Sequence, residues 1–255
     1  MKHIPNIFTL LNLFFGCIAI VLTLQSGIDI VYTNEGEQFV KLTEKMCLAS
    51  LFIGIAALVD FLDGFVARML KVPSEMGKQL DSLADVVSFG VAPGIIFYQF
   101  LRMGIIRQND GLEASVLWLL PAFIFSCAGA YRLARFNLDT SQSYGFKGVP
   151  IPAAGLVVAS FPLIYWYNNN DFIYNLILNK WFLYSIIFIL SCLMVSTLPM
   201  LALKFKDYTL KNNMPKVILL VISVVALVLL KWLAVPVIFL AYIILSLLNT
   251  TKSTI

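Results

Sequence analysis

Residues 60–68 read Asp60-Phe61-Leu62-Asp63-Gly64-Phe65-Val66-Ala67-Arg68, and a short loop later come Gly77, Asp81 and Asp85. The first run closes an apolar stretch at about 46–70, and the last aspartates open another at about 83–101. Four aspartates thus stand at or near a membrane between residues 60 and 85. Each such charge costs roughly 2.5–3.5 kcal/mol at the centre of a span, and less near the interface. Charged groups persist there when they are paired or bind metal.

Helical spacing sharpens the pattern. Asp60 and Asp63 are i,i+3 and share a face near one helix end; Asp81 and Asp85 are i,i+4 at the start of the next helix. The intervening loop, with Pro73, turns the chain back, so two helices can aim two carboxylates each at one point. An oxygen-only cluster without His or Cys suits Mg²⁺ or Mn²⁺ rather than zinc, and four carboxylates suffice for two ions. Gly64 and Ala67 lay small residues along the carboxylate face, which serves either helix packing or close approach of a phosphate. Arg68 fits either a phosphate contact or an interfacial anchor.

The rest of the chain agrees with a membrane setting. Of 255 residues, 60% are hydrophobic and 13% charged, and mean hydropathy is +0.89. Soluble domains carry about 25% charged residues. Eight apolar segments stand at about 7–25, 46–70, 83–101, 115–135, 151–167, 181–203, 215–230 and 233–248. The expected fold is an all-α polytopic membrane protein of about eight transmembrane helices in a single membrane domain, 1–255. Lys231 and Pro236 mark a break between the last two segments; one long kinked helix there would leave seven spans. Lys2 before the first run, without a cleavage site after it, makes that run a retained span. Cys17, Cys47, Cys127 and Cys192 lie in apolar stretches and read as small core residues, neither bridged nor metal-bound.

Lys and Arg favour cytoplasmic loops. With an inside N-terminus and eight spans, twelve of the 18 basic residues fall inside and six outside. A multi-pass cytoplasmic-membrane protein is expected, with both termini and the aspartates facing the cytoplasm.

The run Asp60-x2-Asp63-Gly64-x2-Ala67-Arg68-x8-Gly77-x3-Asp81-x3-Asp85 resembles the signature of the CDP-alcohol phosphatidyltransferase family at every fixed position. The resemblance implies a catalytic core of six spans, 1–203, usually dimeric, with a C-terminal helical hairpin at 215–248 added here. It implies that Asp60, Asp63, Asp81 and Asp85 hold two divalent ions, and that Asp85 is also the general base. It further implies contacts to the CDP part of the donor from Gly64, Arg68 and Ser74. Asn6 and Thr9 match a family Asn-x-x-Thr that contacts the nucleotide, although either also fits a helix cap. Asp60, Ala67, Gly77 and Asp81 complete the expected donor site.

Residues 131–137 (Tyr-Arg-Leu-Ala-Arg-Phe-Asn) and 146–152 (Phe-Lys-Gly-Val-Pro-Ile-Pro) resemble segments of the serine-using members, with Val149 where Leu is frequent. They point to L-serine as acceptor and to phosphatidylserine and CMP as products of CDP-diacylglycerol. Arg132 and Arg135, i,i+3, are candidate clamps for the serine carboxylate, and equally positive-inside anchors. Asn137, Lys147 and Gly148 are further acceptor candidates. The expected partners are these substrates, the bilayer and a second copy, with no nucleic acid. Two alternatives stay open: another acceptor, such as glycerol 3-phosphate or an inositol phosphate, and a cation or proton transporter.

Overall fold

The computed structural model describes residues 4–27, 29–32, 38–41, 43–70, 74–107, 115–138, 146–201 and 210–253. Hydrocarbon offers no partner for backbone N–H and C=O groups, so an apolar run must satisfy them internally, as a helix. The chain does so: α1 (Ile4–Leu24), α2 (Glu44–Leu70), α3 (Glu75–Asp85), α4 (Ala92–Ile106), α5 (Ala122–Leu138), α6 (Ile151–Tyr167), α7 (Asp171–Ile177), α8 (Lys180–Val195), α9 (Leu210–Leu230) and α10 (Ala234–Ser253). Two short antiparallel pairings complete it. Between α1 and α2, β1 (Asp29–Tyr32) pairs antiparallel with β2 (Gln38–Lys41); β3 (Phe146–Lys147) pairs antiparallel with β4 (Pro199–Met200).

The protein is therefore an all-α polytopic membrane protein, and each expected apolar segment contains a helix, although the one expected at 115–135 is α-helical only from Ala122 and the one at 181–203 ends at Val195. Among the described residues, four helical stretches are long and apolar enough to cross a membrane, or five if α7 and α8, bent by 65°, count as one. One of the four, Asn213–Asn249, runs 37 residues through α9 and α10. At 1.5 Å per residue that is about 55 Å, far more than one hydrocarbon core of about 30 Å. The chain reverses at a 3₁₀ turn, Lys231–Leu233, where Lys231 takes φ 51°, and α9 and α10 lie side by side.

A second long stretch, Glu75–Ile106, joins α3 and α4 through a π-helical segment, Val86–Val91. Single π turns frequently mark functional positions. This one begins directly after Asp85, and its extra residue per turn re-aims the chain between the polar start of the helix and its apolar remainder. Ser74 caps the start, its hydroxyl accepting from the Gly77 N–H at 2.9 Å. Pro93, which has no N–H to give, stands where the π-helical segment meets α4, so the missing ladder bond falls at the change of winding.

The core is aromatic. Phe89, Phe97, Phe100 and Phe125 are fully buried, with Phe97 edge-on to Phe125 and to Phe161 at 5.6 and 5.9 Å between ring centres. Helices approach closely at small residues: a Cβ on Gly16 would strike Ser88, and one on Gly155 would sit 2.8 Å from the Phe89 carbonyl. Large apolar side chains such as Phe14, Leu58, Phe65, Phe188 and Leu229 are exposed, as lipid-facing positions are. The cysteines depart from expectation. All four are free, but only Cys47 is buried, while Cys17, Cys127 and Cys192 are exposed. In a membrane protein the outer surface is itself apolar, so an apolar neighbourhood in sequence does not imply the core.

Candidate functional site

The motif aspartates converge. One carboxylate oxygen from each of Asp60 and Asp63 on α2 and Asp81 on α3 lies within 4.8 Å of the others. Asp60 is also within hydrogen-bonding reach of both Asp81 and Asp85, which makes it the centre of the group. Asp63 and Asp85 are buried, while Asp60 and Asp81 are half-buried. Carboxylates held this close repel one another. A cation among them offsets that repulsion, and an all-oxygen donor set matches a hard divalent ion. The cluster is thus able to hold a metal ion.

Helix α1 supports two of the carboxylates. The Thr9 hydroxyl donates to Asp63 Oδ2 at 2.7 Å and to the Pro5 carbonyl at 3.2 Å. Asn12 Nδ2 donates to Asp85 Oδ1 at 3.3 Å, and Asn12 Oδ1 is buried with no partner among the described residues. Sequence reasoning missed Asn12. A signal was present: Thr9, Asn12 and Gly16 fall on one face of an apolar span, where a polar side chain is costly unless paired.

The donor-side candidates fall around the start of α3. Asn6 lies beside Gly77: a Cβ there would stand 3.1 Å from Asn6 Oδ1 and 2.9 Å from Ser74 Oγ. Ser74 is engaged in the helix cap, and Gly64 is half-buried one position beyond Asp63. The side chains of Ala67 and Arg68, and the loop with Pro73, lie outside the described residues.

The acceptor-side candidates sit at the end of α5 and the entry to α6. Arg132 is buried, its guanidinium 5.1 Å from the Phe136 ring centre, and its Nε has no hydrogen-bond partner among the described residues. It stands within electrostatic range of Asp85 and Tyr242. Arg135 donates instead to the backbone carbonyls of Val195 and Ser196 at 2.6 and 2.7 Å, capping the end of α8. Asn137 Nδ2 donates to Ser82 Oγ at 2.8 Å, and its carbonyl accepts from Lys78 Nζ at 3.2 Å, so α5 is tied to the motif helix. Lys147 is exposed on β3. Gly148 has φ +76°, and a Cβ there would lie 2.5 Å from the Met194 carbonyl and 2.8 Å from that of Ser196. Only glycine fits this turn.

These contacts gather the start of α1, the end of α2, the start of α3, the end of α5, the start of α6 and the end of α8 at one end of the bundle. The carboxylate cluster fit for metal thus lies within electrostatic range of a buried guanidinium, an arrangement able to neutralise charge on a phosphate and to bring a carboxylate to a bound hydroxyl.

Comparison with known proteins points the same way. The sequence model described as CDP-alcohol phosphatidyltransferase matches residues 2–196. A CDP-diacylglycerol–serine O-phosphatidyltransferase of Helicobacter pylori is 34% identical over 196 residues, covering 76% of this chain and 70% of the relative. One of Bacillus subtilis is 34% identical over 163 residues, 63% of this chain and 77% of the relative. An archaetidylserine synthase of Methanothermobacter thermautotrophicus is 29% identical over 168 residues, 65% of this chain and 60% of the relative.

Proposed function

The chain belongs to the CDP-alcohol phosphatidyltransferase family, and from that premise we propose that it transfers the phosphatidyl group of CDP-diacylglycerol to L-serine, giving phosphatidylserine and CMP. Convergence of the α2 and α3 aspartates carries this proposal. Family membership sets the transporter alternative aside. Serine is favoured over other acceptors because the relatives' names share serine while the lipid named differs.

In the proposed mechanism Asp60, Asp63, Asp81 and Asp85 would hold two divalent ions, Mg²⁺ or Mn²⁺. When bound, the ions supply charge neutralisation for the pyrophosphate and the departing CMP. Asp85 accepts the proton of the serine hydroxyl. The serine oxygen bonds to the phosphorus that carries diacylglycerol, and the bond from that phosphorus to the CMP oxygen breaks. Asn12 holds Asp85 in place and Thr9 holds Asp63. Asn6, Gly64, Ser74 and Gly77 line the donor side, and Ala67 and Arg68 are assigned to it by the sequence resemblance alone. Arg132 is the candidate partner for the serine carboxylate, since its Nε has no partner among the described residues and it stands within electrostatic range of Asp85. Arg135, Asn137 and Gly148 support that side through backbone and inter-helix bonds.

We further read residues 1–203 as the catalytic core and 215–248 as an added hairpin, in a homodimer of the cytoplasmic membrane. The twelve-to-six division of Lys and Arg favours a cytoplasmic site and cytoplasmic termini. Purified protein with CDP-diacylglycerol and Mg²⁺ or Mn²⁺, offered a panel of small alcohols, tests the proposal. CMP release that depends on serine is expected; equal or greater release with glycerol 3-phosphate would overturn serine as acceptor.

A further inference from the structure

The family match ends at residue 196, well before α10 begins at Ala234. Yet α10 reaches back to the acceptor side. Leu201, the residue after β4, gives both of its backbone groups to this helix. Its carbonyl accepts from the Tyr242 hydroxyl at 3.1 Å, and its N–H donates to Ser246 Oγ at 3.0 Å. Ser246 in turn donates to the Tyr242 carbonyl at 2.7 Å. Tyr242, Ser246 and Leu201 are all buried. No water stands by to replace such bonds in an apolar interior, so their loss leaves backbone groups unsatisfied.

From Leu201 the connection continues without a gap. Met200 and Pro199 pair with Phe146 and Lys147 across β4 and β3. Gly148 N–H donates to the Leu198 carbonyl at 2.8 Å, and Val149 N–H to that of Leu193 at 3.1 Å. The same Tyr242 stands within electrostatic range of Arg132. One helix face therefore bonds to the residue that ends β4, the strand paired with the segment entering α6, and stands within electrostatic range of the buried arginine of α5.

Resting on the acceptor assignment above, we propose that Tyr242 and Ser246 are positioning residues for the acceptor subsite, fixing through Leu201 and the β4–β3 pair where residues 147–149 stand relative to Arg132. The helix α10 is thus part of the working enzyme and not only an added membrane anchor. The donor side is held from α1, α2 and α3, so a disturbance from α10 falls chiefly on the acceptor side.

The test uses the full chain, purified, with CMP release followed as serine and CDP-diacylglycerol are varied separately. Tyr242→Phe removes one bond, to the Leu201 carbonyl, and Ser246→Ala removes two, the one from the Leu201 N–H and the one to the Tyr242 carbonyl. Each is expected to raise the KM for serine about fivefold, and both together about tenfold or more. The KM for CDP-diacylglycerol should stay within about twofold of the parent value. Ser246→Thr keeps the hydroxyl and should leave the serine KM near the parent value. Unchanged serine KM in both single variants, or equal rises in the two KM values, would overturn the proposal. Thermal unfolding in detergent identifies any variant that fails to fold, and Tyr242→Phe, which keeps the ring, then decides alone. Arg132→Gln separates the two levels. If it raises the serine KM and the α10 variants do not, only the positioning role falls; if it too leaves the serine KM unchanged, the acceptor assignment falls and takes the positioning role with it.

Discussion

Asn12 Nδ2 donates to Asp85 Oδ1 at 3.3 Å, which ties the first membrane helix to the last aspartate of the motif. The tie is anchored on its far side as well, because Ser88 Oγ donates to the Asn12 backbone carbonyl at 3.0 Å. Asp85 and Ser88 are one turn apart, across the start of the π-helical segment. Helix α1 therefore grips the motif helix where its winding changes, and so fixes the direction of the proposed base.

Removing that grip should cost turnover more than binding. Hydrogen bonds to charged groups contribute about 1.5–3 kcal/mol, so Asn12→Ala is expected to lower kcat about ten- to a hundredfold. The KM for CDP-diacylglycerol should change little. Steady-state CMP release measures both; a parent-like kcat would contradict the role given to Asn12.

Asp85→Asn keeps the size of the side chain and removes its capacity to take a proton. General-base catalysis is worth about a hundred- to ten-thousandfold, and CMP release should fall within that range or below it. Binding of CDP-diacylglycerol, followed by equilibrium dialysis with a labelled donor, should persist. Turnover within about tenfold of the parent would contradict the base assignment.

The two arginines of α5 should separate. Arg135 holds the end of α8 through the Val195 and Ser196 carbonyls, so Arg135→Ala should lower the unfolding temperature in detergent. Arg132→Gln should act chiefly on the serine KM, raising it about tenfold or more, the loss of a charge-assisted hydrogen bond. The reverse pattern, with serine affinity following Arg135 and stability following Arg132, would contradict this division.

Much of the site was legible in the sequence because helical spacing is rigid. Asp60 and Asp63, or Asp81 and Asp85, must share a face once their segments are helical, and a short connection between the two segments keeps the pairs close in space. The apolar runs likewise had to become helices. What stayed hidden depends on tertiary contact or on polar sequence within a helix. The segment expected from about residue 83 begins at Glu75, because α3 opens with polar residues and a Ser74 cap instead of an apolar run. Arg135 looked equivalent to Arg132 by spacing, and only the position of the α8 terminus distinguishes them. Asn12 was passed over because its partner, Asp85, lies 73 residues away. Gly148 read as an acceptor contact, whereas its positive φ and the carbonyls crowding its Cα also require glycine there.

Binding of Mn²⁺ to the purified chain, counted by electron paramagnetic resonance, tests most directly whether α2 and α3 share one metal site. Asp60→Asn on α2 and Asp81→Asn on α3 should each weaken Mn²⁺ binding about tenfold or more, since even changes next to a ligand cost about that much. Retention of parent affinity and stoichiometry in either variant would contradict a site built jointly by the two helices.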